Sequence, residues 1–381
     1  MDKSMRTTSW LVAILWLSAC GSDEPLEPTQ PEVIGEVAQA LSTRPLWVPV
    51  NNGAVPAGST GSIFSSWVAV DATLPLLTYA NVGGSSSVSW SLGNAWSSSS
   101  ALTLPDHNLA TRGAVDPNRP GRAYVLVQHG EHYPFITSLF RTDSAGVAWT
   151  QLPDPNLIGA PLALAVAPGN ANVIYSAAIE HDVGLVLTKS TDGGASFQPQ
   201  NQFMLDCCSE LVALSAQNVY GVAAPNAYNR GSFALKHTSD GETWSTLREN
   251  VGHFAIDLRK PALIYAALTD VESGLIKSAD GGLTWSSPLA QFASASVSLV
   301  EVSPVDGRVY VGVRGGSDVY GDAQTIYVST DGGASFSLAN EGLSGQRISS
   351  VTPHPTLPCV AFAATNTGGV FRTTRAGGHC P

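Results

Sequence analysis

Between residues 44 and 381 the chain alternates short apolar runs with polar turns built from Gly, Pro, Asn, Asp and Ser. Runs of this length, rich in Val, Ile, Tyr and Phe and bounded by turn residues, predict β-strands. The clearest stretch is FAIDLRKPALIYAALTDVESGLIKSADGGLTWSSP, residues 254 to 288. It predicts strand A at Phe254 to Ile256, a turn containing Asp257 and Pro261, strand B at Leu263 to Leu268, strand C at Leu275 to Ser278, and strand D from Trp285. An aromatic residue recurs inside the second strand of each such stretch: Tyr79, Tyr124, Tyr175, Tyr220, Tyr265, Tyr310 and Phe362, at intervals of 45 to 52 residues. Seven units of about 48 residues therefore fill residues 44 to 381, enough for four strands and their connections in each.

A second landmark repeats with the first. The octapeptide STDGGASF stands at Ser190 to Phe197 and again at Ser329 to Phe336. Ser278 to Trp285 keeps the frame of hydroxyl, any residue, Asp, any residue, Gly, any residue, hydroxyl, aromatic; Thr238 to Trp244 is one residue shorter. Weaker copies are SWSLGNAW at 89 to 96, where Ser91 replaces Asp, TDSAGVAW at 142 to 149, and TTRAGGHC at 373 to 380, which has lost both Asp and aromatic. A carboxylate in this frame can accept hydrogen bonds from the backbone of its own turn, while glycine supplies left-handed φ. Asp192, Asp240, Asp280 and Asp331 are therefore expected to fasten C-to-D turns rather than to hold a ligand.

The repeated octapeptide resembles the BNR repeat, or Asp box, of sialidase-like β-propellers. The resemblance implies an all-β fold, a seven-bladed β-propeller of four-stranded blades. The last unit stops directly after its degenerate octapeptide and lacks a fourth strand. LWVPVNNG at 46 to 53 aligns with SFSLANEG at 335 to 342, which puts Trp47 where Phe336 stands. The N-terminal strand is thus expected to complete the last blade and remove two exposed sheet edges.

In such a ring the A-to-B and C-to-D turns share one face, including the turns at Asp71, Asp116 and Asp257. B-to-C loops and D-to-A connections share the other, around the channel mouth, where binding residues are expected. Ligand-binding candidates there are His129, Glu131, His132 and Tyr133 in blade two, His181 in blade three, Asn226, Tyr228 and Arg230 in blade four, and Arg314, Asp318 and Tyr320 in blade six. Acidic, aromatic and amide groups converging on a cleft suit carbohydrate recognition. Glu180, Asp182, Asp270 and Glu272 are candidates for a glycosidase acid and base. His129 and His132 would meet at one metal only on a helix, and this segment reads as a loop, so no metal site and no cofactor is expected.

The N-terminus changes the picture of where the ring works. Lys3 and Arg6 precede an apolar run from Trp10 to Leu17, too short to span a bilayer as a mature helix, which marks residues 1–19 as an export signal. Leu17-Ser18-Ala19-Cys20-Gly21 resembles the lipobox of bacterial lipoproteins, which implies lipidation at Cys20. Residues 20–43 then form a polar, Pro-rich tether and residues 44–381 the propeller. A bacterial envelope location follows, anchored by lipid, with the outer membrane suggested by Gly21-Ser22. The net charge of −11 gives no reason to expect nucleic acid as a partner. Export permits disulfides. Cys359 and Cys380 are expected to pair beside the closure, whereas Cys207-Cys208 could form a vicinal disulfide or remain two thiols.

Propellers with this repeat include sialidases, xyloglucan-cleaving glycosidases, sortilin-type receptors and photosystem II assembly factors, so the resemblance does not choose a chemistry. GSIFSSWVAV, in the region of the sialidase Arg-Ile-Pro motif, has no arginine. YANVGGSSS at 79 to 87 is similar to the Asp-Val-Gly-Gly segment of the xyloglucanases, with Asn81 at the position of their catalytic aspartate. The reading is a propeller that binds a glycan or an envelope or extracellular protein at its mouth without catalysis; the alternative is a glycoside hydrolase or lyase.

Overall fold

The computed structural model describes residues 46–51, 67–82, 85–98, 109–129, 136–153, 160–180, 184–200, 210–223, 233–269, 272–315, 324–366 and 368–373. The chain divides into Met1–Thr43 and Arg44–Pro381, and every described residue belongs to the second unit. Seven antiparallel sheets form a closed ring of blades in chain order. The innermost strands, A, are Val68–Val70, Leu109–Val115, Ala160–Val166, Leu211–Ala213, Val251–Ile256, Val297–Val302 and Ile348–Pro353. The aromatics of strand B, Tyr79 through Phe362, are each at most 5% exposed and lie between blades.

The ring closes through its ends. Trp47–Pro49 lies outermost in blade seven, antiparallel to strand C at Gly369–Thr373, with Trp47 opposite Thr373 and Pro49 opposite Phe371. Trp47 is fully buried, donates from its indole to Ala339 O at 2.9 Å and meets Tyr310 of blade six edge-on at 6.5 Å. Asn51 continues the pairing with its side chain, donating to Gly368 O at 2.7 Å and accepting from Val370 N at 2.8 Å.

Blade five departs from expectation. Its strands are Val251–Ile256, Ile264–Leu268 and Gly274–Ser278, and no fourth strand begins at Trp285. Pro288 has no N–H to continue a ladder, and the hydroxyl of Ser286 accepts the Lys277 N–H at 3.1 Å where a strand carbonyl would stand. Ser286 and Leu289 still donate backbone bonds to Lys277 and Leu275, both 2.8 Å, before the chain enters a 3-10 turn at Ala290–Phe292.

The octapeptide turns share one buried element, and it is the first hydroxyl rather than the carboxylate. Ser89, Thr142, Ser190, Thr238, Ser278 and Ser329 are all at most 1% exposed. Each accepts the N–H of a turn glycine, at 2.8–2.9 Å. In three turns Asp192, Asp280 or Asp331 adds a clasp, taking the hydroxyl and the N–H of the second Ser or Thr at 2.6 and 2.9 Å. In the five full-length described copies positions four and five both have positive φ, as in Gly193-Gly194 (75° and 90°), so the weaker copies force Leu92 (54°) and Ala145 (55°) into the left-handed region.

Every junction between blades is bridged. Asp71, 1% exposed, accepts from its own turn at Thr73 and Leu74 and from Gly121 N of blade two at 2.8 Å. Asn118 of blade two holds Ala167 O and Gly169 N of blade three. Tyr175 reaches Ala216 O in blade four, Glu210 of blade four reaches blade five, and Tyr265 reaches Gly332 O in blade six. Asp306 of blade six accepts Cys359 N of blade seven at 3.1 Å. His354, fully buried, accepts Thr356 and Leu357 N–H at Nδ1, so its Nε2 carries the proton given to Pro75 O of blade one at 2.7 Å.

Trp47→Ala should cost about 3–5 kcal/mol of unfolding free energy, because it leaves a cavity at the closure and an orphaned Ala339 carbonyl. Urea denaturation followed by tryptophan fluorescence would show it as a lower midpoint for the whole ring. In contrast, Leu92→Gly should leave stability unchanged or raise it by up to about 1 kcal/mol, by relieving the left-handed backbone. A loss of more than that would mean the Leu92 side chain matters more than its φ.

Candidate functional site

Most mouth candidates named from the sequence lie outside the described residues: Glu131, His132, Tyr133, His181, Asp182, Asn226, Tyr228, Arg230, Asp270, Asp318 and Tyr320. His129 and Glu180 end the B strands of blades two and three, which sets their backbones at the mouth. Glu272 and Arg314 are described, and the structure does not bring them together as a pair. Glu272 is ion-paired with Arg248 from the fourth strand of blade four, Ser245–Glu249. That partly exposed pair contributes at most about 1 kcal/mol, but it occupies a carboxylate that the sequence offered as an acid or base. Arg314 ends strand B of blade six with an exposed side chain.

Blade one carries the other chemical candidate. Asn81 lies within strand B, Thr78–Val82, at 1% exposure, and its N–H donates to Trp67 O at 3.2 Å. An amide there is part of the core, and it has no basic lone pair with which to take a proton.

The titratable groups that do converge were not foreseen. They lie along the inner strands of blades four to six. Glu210, just before strand A of blade four, crosses to blade five, where Oε1 meets His253 Nδ1 at 2.5 Å and Oε2 accepts Phe254 N at 3.0 Å. Burial, the largest influence, pulls the His253 pKa down, but the charge of Glu210 and its hydrogen bond outweigh burial and the repulsion of Arg314, so the net shift is upward. Glu301, on strand A of blade six, has its carboxyl pushed well above the usual range by burial first and by the charge of Glu210 second. The cluster is thus a His253–Glu210 pair that favours the charged imidazole, near a Glu301 carboxyl whose protonated form is favoured. The signal for it in the sequence was modest: one charged residue inside an otherwise apolar inner strand, as in VGHFAI and VSLVEV.

The four acidic octapeptide turns are on the opposite face. Hydrogen bonds from Ser196 hold the Asp192 carboxyl down to about 2, and those from Thr284 do the same for Asp280, also to about 2. Asp240 and Asp331 are shifted the same way by Thr243 and Ser335. Their lone pairs point into their own turns. Among the described residues no group of three or more His, Cys, Asp and Glu side chains could hold a metal. Cys359 is disulfide-bonded, and Cys380, Cys207 and Cys208 lie outside the described residues.

No family model and no curated protein matches the sequence. Solved structures do match in fold. A GH74 xyloglucanase from Xanthomonas campestris aligns over 86% of this chain and 53% of its own, at 16% identity and a TM-score of 0.63. YCF48 from Cyanidioschyzon merolae aligns over 87% of this chain and 99% of its own, at 13% identity and a TM-score of 0.57. The extracellular domain of a putative hybrid two-component system from B. thetaiotaomicron aligns over 87% of this chain and 40% of its own, at 10% identity and a TM-score of 0.56. At these identities the likeness is one of architecture, and the chain spans about half the length of the xyloglucanase.

The channel cluster gives stability a definite pH dependence. Both His253 and Glu301 have folded pKa values above their ordinary ones of 6.5 and 4.5, so each favours the fold most below its ordinary value and loses that advantage as pH rises through its folded one. Melting temperature should therefore fall as pH climbs above about 4.5, with a further decline above about 6.5. Glu301→Gln should flatten the first decline and raise the melting temperature at pH 8, and His253→Gln should flatten the second. Unchanged slopes in both variants would refute the assignment.

Proposed function

We propose that this chain is an envelope lipoprotein, anchored through Cys20, whose propeller binds a glycan or a protein partner at the channel mouth without turning it over. The observation that carries the non-catalytic reading is at blade one. The segment similar to the xyloglucanase Asp-Val-Gly-Gly stretch presents Asn81, an amide sealed inside strand B, where hydrolysis would require a carboxylate open to substrate. Glu272, the candidate acid or base with a described side chain, is held by Arg248. The repeated turns are read as Asp boxes, whose carboxylates are committed to their own backbone and leave recognition to the opposite face.

The mouth loops suit a hydroxyl-rich ligand better than a charged one. They combine aromatic Tyr133, Tyr228 and Tyr320 with carboxylates and amides, which stack on sugar rings and pair with hydroxyls. Lipid anchorage would place such a surface on the bacterial envelope, in contact with the periplasm or the exterior.

The test is reducing-end release from a panel of plant, microbial and host polysaccharides, run beside retention of the protein on the same polymers immobilised. Retention without release, weakened about tenfold or more by Tyr228→Ala, is the expected result. Release from one polymer, abolished by changing Glu180, Asp182, Asp270 or Glu272 to its amide with retention preserved, would overturn the non-catalytic reading and make the protein a glycosidase.

A further inference from the structure

The strand B aromatic braces several blade junctions in the same way. The hydroxyls of Tyr79, Tyr175 and Tyr265 each donate to a carbonyl of the next blade: Gly121 O at 3.3 Å, Ala216 O at 2.8 Å and Gly332 O at 2.8 Å. Tyr310 of blade six holds the matching place, 3% exposed and edge-on to Trp47 of blade seven at 6.5 Å. That contact repeats the one between Tyr79 and Trp149 at 6.4 Å. The Tyr310 hydroxyl, however, has no hydrogen-bond partner among the described residues. Burial pushes its pKa above the ordinary value of 10.0, so the group stays protonated and able both to donate and to accept.

Tyr310 lines a pocket of about 180 Å³ between blades six and seven. Arg308, Thr330 and Thr373, all at turn-face ends of strands, line it too, so the pocket opens away from the mouth. Leu46, Trp47, Val328, Leu338 and Ala339 supply an apolar wall. The polar lining is largely committed elsewhere: Arg308 faces Asp306 at 3.3 Å, Ser335 donates to Asp331 at 2.6 Å, and Thr373 donates to Cys359 O at 2.8 Å. Thr330 and Ser337 stand at the exposed rim. A buried hydroxyl without a partner is destabilising, and the space beside this one is where a partner would sit.

We propose that this pocket binds a neutral single-ring aromatic alcohol, a phenol, with its ring among Trp47, Val328 and Leu338 and its hydroxyl bonded to that of Tyr310. The site goes beyond the mouth reading and stands whether or not a glycan binds there. Size sets the first limit. A cavity of roughly 150 Å³ lined by aliphatic and aromatic groups takes up benzene, so the pocket admits one substituted ring and excludes a disaccharide. Charge sets the second, because Arg308 is already paired with Asp306 and the lining offers no uncompensated cation to an anionic ligand. Packing sets the third: a ring against Trp47 and Tyr310 adds edge-to-face contact beyond area burial, which favours a phenol over a saturated alcohol of the same size.

The experiment titrates the full chain with 4-fluorophenol at pH 7, where the probe is neutral, and reads binding by fluorine NMR. One saturable site per chain is expected. Tyr310→Phe removes only the hydroxyl and should weaken that site about three- to tenfold; Phe362 holds the same place in blade seven, so the ring accepts the change. Val328→Phe fills the space and should abolish binding. Unlabelled phenol should displace the probe severalfold better than cyclohexanol. Circular dichroism melts identify a variant that fails to fold, and Tyr310→Phe decides alone if Val328→Phe does so. No saturable site in the folded wild type, or a site unaltered by Tyr310→Phe, overturns the pocket. Equal displacement by cyclohexanol overturns the aromatic class of ligand.

Discussion

Everything on the mouth of this ring depends on one short pairing, Trp47–Pro49 against Gly369–Thr373. A sheet of four strands has two edges, and seven such sheets in a row would leave the first and last blades free to part. Joining the two ends of the chain in one blade converts the series into a ring in which no blade can leave alone. Three residues of strand make a weak joint by themselves. The indole of Trp47, buried against Tyr310 and bonded to Ala339, ties that strand to blade six as well as to blade seven. His354 carries the same load across the other side, from blade seven to blade one.

The octapeptide shows how a repeated motif can mislead about which of its atoms matters most. Its carboxylate is the conspicuous chemical group, yet it is exposed and bonded within its own turn. The first hydroxyl, nearly invisible in a chain rich in Ser and Thr, is the atom that is buried in all six described copies and that receives a glycine N–H. Ser91 and Ser144 keep a version of the clasp, accepting Ala95 N and Ala148 N at 3.0 and 2.9 Å. Loss of Asp therefore leaves the turn intact and removes a charge.

The fold was legible because its information is local and repeated. Each blade carries its own aromatic, its own turn and its own alternation, and seven copies average out the noise in any one. The absent fourth strand of blade five was lost on a single Pro288, whose effect on a ladder is as local as the pattern that predicted the strand. The channel cluster was not legible for the opposite reason. Glu210, His253 and Glu301 come from three blades and are separated by more than forty residues each, and no spacing rule connects them. His253 and Glu301 each appear in sequence as a lone charged or titratable residue in an inner strand, and Glu210 stands just before one. Arg112 appears the same way and serves a different end, its Nε donating to Leu162 O of the next blade at 2.5 Å.

The bond from Arg112 points to a constraint on what the ring can bind. The inner edge of each strand A faces the channel with backbone groups that strand B cannot reach, and such an edge would ordinarily invite an added strand. Here neighbouring blades cover it: Thr352 donates to Val68 O, Arg112 to Leu162 O, and Glu210 accepts Phe254 N. A peptide entering the channel would have to displace these bonds, each of them partly buried, to pair with the edges behind them. Recognition by backbone addition is therefore disfavoured at these three inner edges.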